Sequence, residues 1–304
     1  MEIKIACLQM ASKPYDWDYN IETASNMIKD ASESGADIAL LPEAFIPGYS
    51  LTKDNFRYAE PLEGKTISEL KKLAKKLNIY ISGSFIEKKE KNFYNTMFFL
   101  GSEGLLGVYR KNYVYSIENK YWKRGKDVSI IDSEFGKIGL GICADMHYGK
   151  LWKQYASKVN LILICSAWPN IPDKVKFKFA KHENELCRNL PVKISNTLQV
   201  PVAYCNAAQT CKGKYPFVGS INCAGFSKIV DKGKIIKSID SRVEDIIQAT
   251  VKIHDKPPKI DPDEFKNWIN YSFTEKIPKF IFEKLFRYYS HLSYKWNKGK
   301  FLKD

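Results

Sequence analysis

From Ile3 to Leu8 the chain alternates in the manner of a β-strand, and then the period lengthens. Ile21, Ala24, Ile28 and Ala31 recur on one helical face within 19–34, and Gly35 is placed to end that helix. The run DIALLPE (37–43) reads as a short buried strand that leads straight into Glu43. Ile67, Leu70, Leu73 and Leu77 mark a second helix, followed by the strand IYISGSF (79–85). Two hairpins come next. YNTMFFLGSEGLLGVYRK (94–111) turns at Gly101–Gly104, and VSIIDSEFGKIGLGIC (128–143) delivers Cys143 at the end of its second strand. A helix near 148–157, the apolar strand VNLILICSAW (159–168), helical spacing through 174–198, the strand VPVAYCN (200–206) and hairpins around DKGK (231–234) complete the pattern to 253.

Strands flanked by helices but joined by many hairpins predict a mixed α/β architecture, not a simple parallel doubly wound sheet. The organisation expected is one domain over 1–253 and a C-terminal extension over 254–304. In the extension, HDKPPKIDPDE (254–264) is a connector, and Ile281, Phe282, Leu285, Phe286, Tyr289 and Leu292 form an aromatic-rich helical stripe. That stripe is expected to pack on its own domain or on a sister subunit.

Composition narrows the function classes. The chain has 304 residues, 44% of them hydrophobic and 27% charged, as in a globular protein with a sizeable core. It lacks an apolar run long enough to span a bilayer, and MEIKIACLQM is not patterned as a secretory leader, so a cytoplasmic protein without membrane association is expected. The seven cysteines are Cys7, Cys143, Cys165, Cys187, Cys205, Cys211 and Cys223. Their odd number and wide scatter argue against a disulfide framework, and Cys205, Cys211 and Cys223 lack the spacing of a structural zinc site. No metal is expected. The net charge of +14 permits acidic partners, but the lysines are spread along the whole chain. Segments such as KKLAKK (71–76) read as solvated helix faces, so nucleic acid is not the expected partner.

Three apolar strands end on reactive residues: LLPEAF on Glu43, GVYRKNY on Lys111 and GLGIC on Cys143. A thiol needs a base before it attacks a carbonyl carbon, a glutamate can be that base, and a fixed ammonium can stabilise the resulting oxyanion. The N–H of Ala144, next to the thiol, is a second candidate donor. Taken singly, each residue also fits an ordinary role: a solvated loop acid, a surface lysine, a core cysteine.

The ordered motifs LLPEAFIPGY (40–49), VYRKNY (108–113) and GLGICAD (139–145) resemble the nitrilase superfamily, the carbon–nitrogen hydrolases. YNT (94–96), SAWP (166–169) and FVGSI (217–221) add to a likeness that covers about residues 3–253. The resemblance implies a four-layer α-β-β-α sandwich, commonly a homodimer or higher homo-oligomer, that hydrolyses a non-peptide C–N bond of a small molecule without a cofactor. It implies Glu43 as general base, Lys111 as oxyanion stabiliser, Cys143 as nucleophile and Glu118 as a second catalytic glutamate.

The sequence departs from the usual amidase run after the nucleophile. Asp145 is kept, but His147 stands where arginine is common and Lys150 where glutamate is common, and Tyr113 takes a position often held by histidine. Cys-Ala-Asp differs from the Cys-Trp-Glu of true nitrilases, which favours an amide or carbamoyl substrate over a nitrile. Tyr49, Tyr113, Ala144, His147 and Trp168 are the candidate substrate-binding residues. Two other outcomes stay open: acyl transfer to an amine at the same Glu-Lys-Cys site, and a non-catalytic basic binding protein.

Overall fold

The computed structural model describes residues 1–115, 117–172, 178–208, 210–215, 219–272, 276, 280 and 286–301. Alternation in the first strand, β1 (Glu2–Gln9), sets the layering. Ile3, Ile5 and Cys7 face a core shared with the second sheet, whereas Ala6 and Leu8 face α1 (Trp17–Glu33) and α2 (Lys65–Leu77). Both faces of the strand are therefore buried, which requires a layer on each side.

The first sheet also contains β2 (Ile38–Leu40), β3 (Tyr80–Lys89), β4 (Asn92–Gly101), β5 (Gly104–Arg110) and the distant β14 (Asp245–Lys252), in the order β14-β1-β2-β3-β4-β5. The second is built from β6 (Ile130–Ser133), β7 (Gly136–Ile142), β8 (Leu161–Ser166), β9 (Val202–Asn206), β12 (Lys228–Asp231) and β13 (Lys234–Ser238). Its order is β13-β12-β9-β8-β7-β6, covered by α3 (Gly149–Tyr155) and α4 (Lys178–Leu198). β10 (Thr210–Tyr215) and β11 (Gly219–Asn222) form a separate two-stranded ribbon. The result is an α-β-β-α sandwich.

The two sheets repeat one pairing plan. β1, β2 and β3 are mutually parallel, as are β7, β8 and β9, and each trio carries one antiparallel strand on its first side and an antiparallel pair on its last. The parallel trios meet at their C-terminal ends. There the Glu43 N–H, just past β2, donates to the Ser166 carbonyl at the end of β8 (3.3 Å). Such strand ends are the common site of function in α/β proteins.

The glycines of GLGIC have a packing cause. A Cβ at Gly139 would lie 2.6 Å from Ile162 Cδ1 and 3.0 Å from Tyr155 Cδ1, and one at Gly141 would lie 2.6 Å from Trp152 Cη2. The strand bearing Cys143 is thus pressed against the buried aromatic rings of α3.

The described part of the C-terminal segment packs on the domain at two places. Trp268 is buried, and its indole N–H donates to the Met146 carbonyl (2.8 Å), so the connector braces the turn that follows Cys143. In the last helix, α5 (Phe286–Phe301), the buried positions are Ser290, Tyr294 and Asn297, whereas Tyr289 and Leu292 are exposed. Tyr294 accepts the Phe93 N–H (3.1 Å) and packs against Phe56. Ile281, Phe282 and Leu285 lie outside the described residues, as do Phe217 and Val218 of FVGSI.

Gly141→Ala should lower stability by about 1–3 kcal/mol, the usual cost of forcing a methyl into a filled core. Urea unfolding followed by circular dichroism reads this directly, and an unchanged midpoint would refute the close approach of Trp152.

Candidate active site

Glu43, Lys111, Glu118 and Cys143 come from four separate segments and are all buried. Lys111 follows β5, tethered by its own N–H to the Asn95 carbonyl on β4 (2.9 Å). Its Nζ donates to Glu43 Oε1 (2.7 Å) and to both carboxylate oxygens of Glu118 (2.9 Å each). Each carboxylate is held by further donors. Asn95 Nδ2 reaches Glu43 Oε1 (2.7 Å), and the Ala167 N–H reaches Oε2 (2.8 Å). Tyr49 OH donates to Glu118 Oε1 and the Tyr115 N–H to Oε2, both at 2.7 Å.

Cys143 makes the step from β7 into one 3₁₀ turn, Cys143–His147, at φ +46°. That left-handed conformation is uncommon for a residue with a side chain. Asp145 holds the turn: its carboxylate accepts the Ile142 N–H (2.9 Å), the Tyr109 hydroxyl (2.8 Å) and the Tyr113 N–H (2.9 Å). Burial pushes its carboxyl up to about 6, and these donors restrain the rise. The Ala144 N–H lies in the first turn, where a helix offers it no carbonyl of its own.

Burial raises the Cys143 thiol well above its ordinary value, Glu43 raises it further and Lys111 pulls it back. The resting sulfur is therefore a thiol. Burial by itself would lower the Lys111 ammonium, but Glu118 and Glu43 carry it well above the usual lysine range. Burial also raises Glu118, with Lys111 opposing it. Two carboxylates around one ammonium leave the cluster with one net negative charge, so it does not hold a thiolate before substrate arrives.

Cys143 opens into a cleft of about 50 Å³. Among the residues expected to bind substrate, Tyr49, Ala144, His147 and Trp168 line it. Tyr113 does not: its ring stacks on Tyr148 (centroids 3.8 Å apart, 8° between planes), and only its N–H serves the site, through Asp145. His147 lies flat on Trp168, with centroids 4.7 Å apart, and its ring nitrogens face the Ala144 carbonyl (3.3 Å) and Glu183 Oε2 (3.2 Å).

Sequence reasoning missed Glu183, which reaches the cleft from α4 without any local motif. Asn95 was visible only as part of YNT. Its position inside an otherwise apolar strand was the signal, because a buried amide demands partners. It finds Glu43 on one side and the Ser84 hydroxyl (2.9 Å) on the other.

A family model described as carbon–nitrogen hydrolase matches residues 4–255. The chain belongs to the carbon–nitrogen hydrolase family. A Schizosaccharomyces pombe protein named as a probable nitrilase is 29% identical to this hydrolase over 268 residues, covering 85% of this chain and 92% of that one. The human omega-amidase is 33% identical over 172 residues, 53% of this chain and 62% of its own length. Among solved structures, a Saccharomyces cerevisiae member of branch 10 of the nitrilase superfamily superposes with a TM-score of 0.66 at 26% identity, covering 88% of this chain and 93% of that one. An amidase from Nesterenkonia sp. AN1, carrying the acetamide moiety of fluoroacetamide on its active-site cysteine, shares the fold with a TM-score of 0.70 at 18% identity. That match covers 87% of this chain and 93% of the amidase.

Lys111→Met removes the ammonium and leaves two buried carboxylates facing each other, which should cost about 3–5 kcal/mol near pH 8. A carboxyl raised in the folded state contributes its full stability below its unfolded value and loses it as pH rises through the folded one. The deficit should therefore shrink toward about pH 5, where the carboxyls take up protons. Urea midpoints of wild type and variant at both pH values test this, and a pH-independent deficit would count against the cluster.

Proposed function

We propose that this chain is a thiol amidase that cleaves the C–N bond of a small amide or carbamoyl compound through a thioester on Cys143, with no cofactor. The observation that carries this reading is the Lys111 ammonium, buried between Glu43 and Glu118 where the Cys143 turn opens to the cleft.

The chemistry follows from the proton balance. The thiol is protonated at rest, so the proton must leave as sulfur attacks the carbonyl carbon, and Glu43 is the base that takes it. The oxyanion that forms is met by Lys111 and the Ala144 N–H. Neutralising Glu43 relieves Lys111 of one carboxylate at the moment the new negative charge appears, so the net charge of the cluster with its ligand is unchanged. Collapse of the intermediate expels the amine, which receives the proton from Glu43. A water then loses its proton to Glu43 and attacks the thioester carbon. Collapse breaks the C–S bond and releases the acid, and the Cys143 sulfur recovers the proton from Glu43. Glu118 keeps Lys111 charged and aimed throughout, and Tyr49 and the Tyr115 N–H fix Glu118 in turn.

The cleft also supports a choice of substrate. Its lining includes Glu118, Glu183, His147 and Cys143, and among the described residues neither arginine nor lysine lines it. A carboxylate on the substrate would be brought close to Glu183, and like charges in a desolvated site cost several kcal/mol. Neutral or amine-bearing amides fit better than acidic ones.

Ammonia release from a panel of small primary amides should be detectable with wild type and lost with Cys143→Ala, and Glu43→Gln should lower kcat by at least about a hundredfold. Intact-mass spectrometry should find the acyl group on Cys143. Release that survives Cys143→Ala would overturn the assignment. Within the panel, kcat/KM for a neutral diamide should exceed that for the matching monoamide acid by about tenfold or more, and the reverse order would overturn the substrate preference.

A further inference from the structure

A second cavity, of about 870 Å³, lies between α5 and the loop that follows Glu118. It has the size of small-molecule sites in general and far exceeds the catalytic cleft. Its charge is one-sided. Lys123, Arg124 and Lys126 line it from the loop, Lys295 and Lys298 from α5, and among the described residues no acidic side chain lines it. Among the described residues, no ion pair joins Lys123, Lys126, Lys295 or Lys298 to a carboxylate.

Desolvation and the nearby Lys123, Lys295 and Lys91 push the Lys298 ammonium below its ordinary value, as expected where cations crowd without counter-charge. Lys298 is nevertheless held in place: its Nζ donates to the Lys91 carbonyl (3.2 Å) and to Asn92 Oδ1 (3.3 Å). Such crowding is destabilising unless an anion relieves it, and a diffuse lysine-rich surface would not confine it to one walled space. Trp122 forms part of the wall, and its buried indole N–H has no acceptor among the described residues. The same ring packs edge-to-face on Tyr49 (centroids 5.7 Å apart), whose hydroxyl donates to Glu118, so the cavity and the catalytic cleft share a partition.

We propose that this cavity is a binding site for a small polyanion carrying two or more linked phosphate groups, gripped between the loop lysines and the α5 lysines. A phosphate chain offers many acceptor oxygens and multiple charges in a small volume, which matches cations converging from two walls. The cavity's half-enclosed shape favours a free small molecule over a nucleic-acid strand. This site is scored by binding alone, so it stands or falls independently of the amidase reading.

Titration calorimetry of the full chain with inorganic tripolyphosphate, and separately with ATP, tests it. Binding is expected with Kd below about 100 μM at low salt, weakening as salt is raised. Lys295→Gln with Lys298→Gln should weaken it about tenfold or more, and so should Lys123→Gln with Lys126→Gln on the opposite wall. The second pair leaves the contacts of α5 with Lys91 and Asn92 untouched, so a folding defect in the first does not decide the result. Equal affinity for both probes assigns the site to the phosphate chain, and tighter ATP binding adds a contact to the base. Absence of binding at about 1 mM, or wild-type affinity in the Lys123/Lys126 pair, overturns the proposal. So does an equal loss on Lys75→Gln with Lys76→Gln, two exposed lysines of α2 far from this cavity in sequence, because that would mark general charge attraction.

Discussion

One buried ammonium organises the centre of this protein. Lys111 is fully enclosed, and a lone charge there would be driven out or neutralised. It stays because Glu43 and Glu118 surround it, and it in turn opposes the rise that burial imposes on Glu118. Each carboxylate is also bonded by a backbone N–H and a neutral side chain, so the cluster meets its hydrogen-bonding demand from inside the protein. Removing one member exposes the others to the full cost of burial, which ties the ends of both sheets to a single electrostatic unit.

That unit explains the layout around it. The parallel trios of the two sheets converge at their C-terminal ends, where Glu43 bonds to Ser166 and Ala167 of the opposite sheet. Cys143 leaves its strand through a left-handed residue, and Asp145 and Trp268 pin the turn from two sides. The sulfur is kept as a thiol chiefly by burial, with Glu43 adding to the effect and Lys111 opposing it. Chemistry in such a site begins when substrate and base act together, not with a stored thiolate.

Much of this was legible in the residues. The alternation from Ile3 to Leu8 marked a strand, and the structure added that both its faces are buried and that the glycines before Cys143 admit the aromatic rings of α3. LPE, YRK and GLGIC each put a reactive group at a strand end, and their order along the chain carried the family resemblance. In the last helix the residues seated on the domain are Ser290, Tyr294 and Asn297, because Phe56 and Phe93 provide a socket for Tyr294 that a local pattern cannot reveal.

Sequence alone determined most of the elements and the mixed α/β class, because those depend on period. The layering and the Glu-Lys-Cys set followed from the family resemblance carried by short ordered motifs. Tertiary structure decided which groups meet. It brought Glu183 to the cleft from a helix with no motif and turned Tyr113 away to stack on Tyr148. It also placed Asn95 against Glu43 and gathered the lysines at 123–126 and 295–298 around one cavity. Those contacts join residues far apart in the chain, and their energies are set by burial and distance, which no local window of sequence contains.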